Sequence, residues 1–143
     1  MHYHTLQTIL NKLNKNLPDY KEYKKLINDL DNFLYSLSNE DKLRIYPSNI
    51  IYKLKLSTSN AERILKILTK ATIEGMFEEN IEVWCDKYNV RIADVNSKQE
   101  FYSSPDQCDF CEEEHEIPRK DFKISLKLKE KPSFLYNLMK KIA

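Results

Sequence analysis

Apolar residues recur at helical spacing over the first part of the chain and predict two amphipathic helices. The first stripe ends before Pro18, which cannot continue a helix, and consists of Leu6, Ile9, Leu10, Leu13 and Leu17. Asp19 can cap the second helix, whose stripe consists of Tyr20, Tyr23, Leu26, Ile27, Leu30, Phe33, Leu34 and Leu37. We expect residues 1–38 to form a helical segment. It either packs on the rest of the protein or forms a homodimer through residues 2–38.

A helix, a turn and a longer helix are predicted over residues 47–74. The first helix, 47–56, begins at Pro47 with Ser48 as its cap, and residues 57–60 form a polar turn. The second helix covers residues 61–74, where the apolar side chains again share one face. Gly75 follows at a position that favours a left-handed backbone, which glycine adopts because it has no Cβ to clash.

After Gly75 the pattern changes to alternation and predicts strands. Residues 76–85 alternate with one irregularity, residues 90–95 form a second short strand, and residues 122–129 alternate strictly, with lysines on the polar face. Residues 96–107 are rich in turn-forming side chains and are expected to be exposed. A last amphipathic helix is predicted over residues 134–142. Helices combined with a small antiparallel sheet give a predicted fold class of α+β.

Length and cysteine content indicate an intracellular protein without disulfides. A chain of 143 residues can build its own core. Its three cysteines are an odd count, and two of them stand three positions apart, which is unusual in a secreted disulfide framework. Apolar runs fall far short of the roughly 20 residues that cross a bilayer. We therefore predict a cytoplasmic protein that does not bind membranes, with a frayed amino terminus around His2 and His4.

The net charge is only +1, but the charged residues are unevenly distributed. Residues 1–75 carry 12 Lys/Arg against 8 Asp/Glu, residues 76–118 carry 3 against 12, and residues 119–143 carry 8 against 2. An acidic block of charge −9 therefore separates basic blocks of +4 and +6, and it contains all three cysteines. Because Gly75 is the only glycine, a glycine-rich phosphate-binding loop is excluded.

The cysteines and one histidine form a candidate metal site. Cys108 and Cys111 make a C-x2-C turn that directs two thiolates at one point, and His115 follows four positions later. Cys85 has the spacing of a second half-site, but Tyr88 stands where a fourth sulfur is expected. Three thiolates and one imidazole would make a closed tetrahedral zinc site. Three alternatives stay open: zinc binding, a degenerate knuckle without metal, and a redox role for Cys108 and Cys111.

The central part of the chain resembles a winged helix-turn-helix domain. The likeness is carried by the helix-turn-helix pattern of residues 50–68 and by Gly75-Met76-Phe77 at the entry to the first strand. It extends over about half of the chain, residues 42–85 and 121–130. The resemblance implies a winged-helix domain over residues 39–143, with a cysteine-bearing insertion of the wing at 85–118. That insertion is similar to a zinc ribbon or knuckle that lacks its usual glycines, with Trp84 as the core anchor beneath it.

The resemblance also implies a surface that contacts DNA. In winged helices the second helix of the motif enters the major groove with its amino-terminal residues, and basic residues of the wing follow the phosphate backbone. The residues at the corresponding positions of this chain are Ser59, Asn60, Arg63, Lys66, Lys70, Lys127 and Lys129. The same side chains are equally typical of a solvated helix face and of a charged strand that avoids edge pairing.

Two functions follow as predictions, and neither is enzymatic. No serine or cysteine nucleophile has a base and an orienting group at a recognisable spacing. The first interpretation is a DNA-binding regulatory protein that acts on double-stranded DNA. The alternative is an adaptor that uses the winged-helix scaffold to dock a protein partner, as in multi-component bacterial systems that include defence-type systems.

Overall fold

The computed structural model describes residues 1–105, 108–114 and 120–133. Within these residues the predicted α+β class is confirmed, because the chain forms six α-helices and a three-stranded sheet. The elements in chain order are α1 His4–Lys12, α2 Tyr20–Ser36, a 3-10 helix Asp41–Leu43, α3 Pro47–Lys53, α4 Thr58–Ile73, β1 Phe77–Cys85, β2 Val90–Val95, α5 Lys98–Ser103, α6 Asp109–Glu113 and β3 Lys120–Leu128. The helix predicted at 134–142 lies outside the described residues.

Contacts divide the chain into two compact units. Unit 1 comprises Met1–Glu78 and Lys127–Ala143, and unit 2 comprises Glu79–Leu126. Helices α1 and α2 both contact α4, so the amino-terminal helices share unit 1 with the helix-turn-helix pair. Three expectations stay predictions: a separate helical segment at 1–38, a winged-helix domain at 39–143 and a homodimer through residues 2–38.

Helix α2 supplies much of the core of unit 1. Its apolar stripe is buried as predicted, through Leu26, Ile27, Leu30 and Leu34. Helix α4 contributes a second buried face, which consists of Ile64, Ile67, Leu68 and Ala71. Full burial of each large aliphatic side chain stabilises the fold by roughly 1.5–3 kcal/mol relative to exposure. These two faces therefore fix the packing of the helices in unit 1.

The amino terminus is held by a buried carboxylate. Asp31 of α2 is 2% exposed and accepts hydrogen bonds from the backbone N–H groups of His2 at 2.9 Å and Tyr3 at 2.9 Å. The imidazole of His2 also stacks on Tyr35, with ring centroids 3.7 Å apart, and the His2 carbonyl accepts from the N–H of Ser133 at 2.7 Å. The predicted fraying of this terminus is wrong, because backbone and ring contacts both fix it.

The helix-turn-helix differs from the prediction at its turn. Helix α3 ends at Lys53, because Lys55 adopts a left-handed φ of 54° that no helix continues. Helix α4 then begins at Thr58, and the hydroxyl of Ser57 caps it by accepting from the Asn60 N–H at 3.2 Å. Residues 58–60 therefore belong to the first turn of α4 and not to a preceding loop. The left-handed conformation predicted for Gly75 is confirmed by its φ of 87°.

The strands form one antiparallel sheet in the order β2-β1-β3. Strands β1 and β2 pair from Ile81 opposite Val95 to Cys85 opposite Val90, with a register shift between Val83 and Trp84. The described part of residues 96–107 is mostly exposed, as predicted, but the expected turns are wrong at Lys98–Ser103, which forms α5. The Ser97 hydroxyl caps this helix by accepting from the N–H of Glu100 at 3.2 Å. The many turn-forming side chains of this segment made the cap difficult to recognise in the sequence.

Candidate metal centre and helical groove

Three buried cysteines meet in unit 2. Cys85 ends β1, Cys108 precedes α6 and Cys111 lies within α6, and they are 1%, 7% and 0% exposed. The Sγ atoms of Cys85 and Cys111 are 3.6 Å apart, and the three sulfurs all lie within 4.8 Å of one another. Zinc–sulfur bonds of about 2.3 Å in a tetrahedron place two sulfurs about 3.8 Å apart. The three cysteines, which form no disulfide, are therefore close enough to hold a metal ion.

Backbone N–H groups are directed at two of the sulfurs. The N–H of Cys111 lies 3.5 Å from Cys108 Sγ, and the N–H groups of Tyr88 and Lys87 donate to Cys85. Burial raises the pKa of the Cys85 thiol, but these backbone donors and the neighbouring thiols lower it, and the pKa lies below its ordinary value. Burial and the two neighbouring sulfurs raise the pKa of Cys111 to about 12. A bound cation would allow all three sulfurs to be thiolates.

Tyr88 occupies the place of a fourth cysteine without acting as a ligand. Its ring packs against the sulfur cluster together with Val90 and Ile92, while its hydroxyl donates to the carboxylate of Glu114. This hydrogen bond raises the pKa of the Tyr88 phenol. Asn89 follows with a left-handed φ of 52°, which asparagine tolerates better than most residues. The turn after Cys85 therefore reverses the chain through a left-handed Asn89, at a position where a glycine is expected in a knuckle.

The fourth metal ligand predicted from the sequence, His115, lies outside the described residues. Helix α6 ends at Glu113, and Glu114 is the last described residue before the histidine. On another side of the cluster, Cys108 borders a cavity of about 360 Å³ that Val90, Ile92 and Phe110 also line. Cys108 is the cysteine of the cluster that lines this cavity, whereas Cys85 and Cys111 are not part of its lining.

Trp84, the anchor expected beneath the cysteines, has different partners. Its indole Nε1 donates to Oε1 of the buried Glu82 at 2.8 Å. The ammonium group of Lys123 lies 4.0 Å from the centroid of its ring, a cation–π contact. The side chains packed against the sulfurs are Tyr88, Val90 and Ile92.

The two residues predicted to read DNA bases are bonded to each other. Arg63 Nη1 donates to Asn60 Oδ1 at 2.7 Å, and Arg63 Nε donates to Asp19 Oδ2 at 3.3 Å. The Arg63 side chain is 24% exposed in this ion pair. The structure therefore brings Asn60 and Arg63 together, but the Arg63 guanidinium ties α4 to Asp19, the residue before α2.

The other predicted contact residues are spread over unit 1. Ser59 is exposed in the first turn of α4, and Lys66 and Lys70 are exposed further along the same helix. Lys127 is half-buried in β3, whereas Lys129 follows the strand and pairs with Glu78 at 3.3 Å. Lys66 and Lys70 thus lie on the same helix, α4, whereas Lys127 and Lys129 lie in β3 and directly after it.

Lys66 and Lys70 line an apolar groove, which the sequence did not predict. It encloses about 500 Å³ between α1, α2 and α4, and its apolar lining includes Ile9, Leu13, Leu17, Tyr23, Leu65 and Ile67. Leu17 is 42% exposed and Leu65 is 43% exposed. A neighbouring depression of about 260 Å³ shares Ile9 and Lys70 with it and is also lined by Lys12 and Glu74. We call these two adjoining depressions the α1–α4 groove.

No family model matches the chain, and comparisons with curated proteins and with solved structures give no match either. Among the helices of the described residues, none combines the length and the apolar character that crossing a bilayer requires. Its function is therefore inferred from its own residues and their geometry.

Proposed function

We propose that this protein is a non-enzymatic adaptor that docks a protein partner in the α1–α4 groove. The observation that supports this proposal is an open apolar surface on the helix that the sequence assigns to DNA. Leu17 and Leu65 each leave more than two fifths of their surface in water, beside exposed lysines. Contiguous apolar surface rimmed by polar groups is typical of protein interaction sites.

A pair of matched substitutions on α4 tests the adaptor function. Leu65→Glu places a carboxylate in the groove, whereas Ile73→Glu places one on the same helix at a residue that is 77% exposed and is not part of the groove lining. An identified protein that co-purifies with the wild type and with Ile73→Glu, and not with Leu65→Glu, supports the proposal. Retention of the same partners by all three proteins argues against it.

A second candidate is the binding of double-stranded DNA by a winged-helix arrangement in unit 1. Unit 1 carries 17 Lys/Arg against 10 Asp/Glu, a net charge of +7, whereas unit 2 carries 6 against 12, a net charge of −6. Ile45 forms an isolated β-bridge two residues before α3 begins at Pro47. The positive charge is therefore concentrated on the unit that holds α3 and α4.

DNA binding is tested with a duplex at low salt. Because Arg63 is engaged with Asp19, we expect Lys66→Ala and Lys70→Ala to weaken binding more than Arg63→Ala does. The affinity should fall steeply with added salt, since lysine contacts to phosphates release counterions. If duplexes fail to bind at low ionic strength, this candidate is removed.

We further propose that the cysteine cluster holds zinc through Cys85, Cys108, Cys111 and the predicted ligand His115. The sulfur spacing and the N–H donors to Cys85 and Cys108 fit a thiolate–zinc site. Zinc in such a site would stabilise the fold of unit 2. Metal analysis should give one zinc per chain for the wild type and for Tyr88→Phe, and a clear loss for Cys111→Ser. Retention of metal by Cys111→Ser would contradict the assignment.

A further inference from the structure

We infer that the partner docked in the α1–α4 groove is an amphipathic helix whose apolar face is flanked by acidic residues. This inference rests on the proposed adaptor function and adds the chemistry of the partner. Three properties of the groove support it: its floor, its length and the charge of its rim.

The floor and the length fit a helix. The groove follows α4 from Leu65 to Glu74, which is about 14 Å at 1.5 Å per residue. Its apolar lining comes from α1, from the segment that follows it and from α4, through residues that include Ile9, Leu13 and Leu65. A partner helix of two to three turns would place residues at positions i, i+3, i+4 and i+7 on such a floor.

The rim is basic. Lys66 and Lys70 line the groove on α4, and Lys12 of α1 lies beside Lys70 in the adjoining depression. Glu74 is the acidic residue of the lining, at one end. Lys66 and Lys70 make no ion pair within residues 1–105, 108–114 and 120–133. Carboxylates along both sides of a partner helix would meet these ammonium groups, and such complementarity selects partners and speeds association.

The same lining argues against a nucleic acid as the occupant. A phosphodiester backbone is charged along its whole length and gains nothing from contact with exposed leucines. Arg63, the side chain best suited to a base edge, is held by Asp19 and Asn60. The groove therefore fits an apolar partner with negative edges and not a uniformly charged one.

Two synthetic peptides test the inference on the full chain. Both form an amphipathic helix of about 14 residues with leucines on one face, and the residues flanking that face are Glu in one peptide and Lys in the other. In fluorescence anisotropy titrations we expect the acidic peptide to bind at least about tenfold more tightly than the basic one. The double variant Lys66→Glu/Lys70→Glu should reverse this preference, and Leu65→Glu should abolish the binding of both peptides.

Four other outcomes overturn the inference, and they separate it from the adaptor function. If both peptides bind equally and Leu65→Glu abolishes binding, the groove docks a helix but does not select acidic flanks. If neither peptide binds, the inferred partner is wrong, and the adaptor function is decided by the co-purification test alone. If Leu65→Glu and Ile73→Glu bind both peptides as the wild type does, the α1–α4 groove is not the docking surface and the adaptor function proposed for it fails as well. If duplex DNA binds and neither peptide does, the basic surface serves nucleic acid. Far-ultraviolet circular dichroism on each variant verifies that it is folded.

Discussion

At the scale of single residues, Tyr3 is fully buried although its hydroxyl group is polar. Its side chain is fully buried, and its hydroxyl makes no hydrogen bond within the described parts of the chain. Burial and the carboxylates of Asp31 and Glu130 raise the pKa of Tyr3 from 10.0 to about 12. The folded protein therefore keeps this proton at a pH where the unfolded chain releases it.

This difference predicts a loss of stability in alkaline solution. Because the folded pKa is the higher one, the contribution of Tyr3 is complete below pH 10 and is lost as the pH rises towards about 12. Tyr3→Phe should remove this part of the pH dependence and leave stability at pH 7 unchanged or higher, since an unpaired buried hydroxyl is removed. The measurement is the urea midpoint between pH 7 and pH 11, with Tyr52→Phe, at an exposed position, as control. A parallel fall in wild type and Tyr3→Phe would contradict the assignment.

The cysteine site was predictable at this scale only in part. The spacing of Cys108 and Cys111, together with Cys85, led to the three sulfurs that the fold brings together. The hydrogen bond from Tyr88 to Glu114 and the left-handed Asn89 could not be read from spacing, because they depend on how β1 and α6 meet. Asn89 still carried a signal, since asparagine is enriched among left-handed residues.

At the scale of elements, the periodicity of apolar residues predicted the long amphipathic helix and the strands. It missed the short helix, whose start is decided by a local hydrogen bond. Helix α2 and strands β1, β2 and β3 lie close to their predicted ranges. Helix α5 was missed because its apolar stripe is too short to show a period, while the cap at Ser97 starts it. The end of α1 at Lys12 was also missed, although apolar spacing continues to Leu17. That early end helps to open the α1–α4 groove.

The tie between α2 and the start of α1 predicts a large effect of one carboxylate. Asp31→Ala removes the acceptor for the N–H groups of His2 and Tyr3, and we expect the free energy of unfolding to fall by about 2–3 kcal/mol. Asp29→Ala is the matched control, because Asp29 makes an exposed i,i+4 pair with Lys25 that contributes about 0.3–0.5 kcal/mol. Urea unfolding at pH 7 measures both. If both variants lose the same free energy of unfolding, the buried carboxylate of Asp31 stabilises the fold no more than an exposed one does.

At the scale of the whole molecule, the charge and the candidate chemistry divide along the same boundary. Unit 1 is basic and carries the α1–α4 groove, whereas unit 2 is acidic and carries the three cysteines. The sequence already contained the alternation of basic and acidic blocks. It did not contain the groove, because the groove forms where residues 9–23 meet residues 65–70 of α4, which lie more than 40 positions further along the chain.

This division predicts which amides would lose hydrogen-exchange protection when a metal ion is removed from the proposed site. The three cysteines of the proposed zinc site lie within unit 2, so if zinc is bound there, a chelator should lower the hydrogen-exchange protection of the amides of β1 and β2 next to Cys85. The amides of α2 and α4 in unit 1 should keep their protection. Exchange measured by mass spectrometry with and without chelator gives the comparison, and Cys111→Ser should resemble the chelated wild type. Equal loss of protection in both units would contradict a role of the metal that is local to unit 2.

The turn from Cys85 to Asn89 has a consequence for how quickly an ion could be captured and released. Its backbone donors already face the sulfur of Cys85, and the ring of Tyr88 already packs against the three cysteines. The chain entropy of this turn is therefore lost during folding and not at the moment of coordination. If the proposed zinc site is occupied, a turn that is already ordered before the ion arrives should let the ion exchange without unfolding of unit 2.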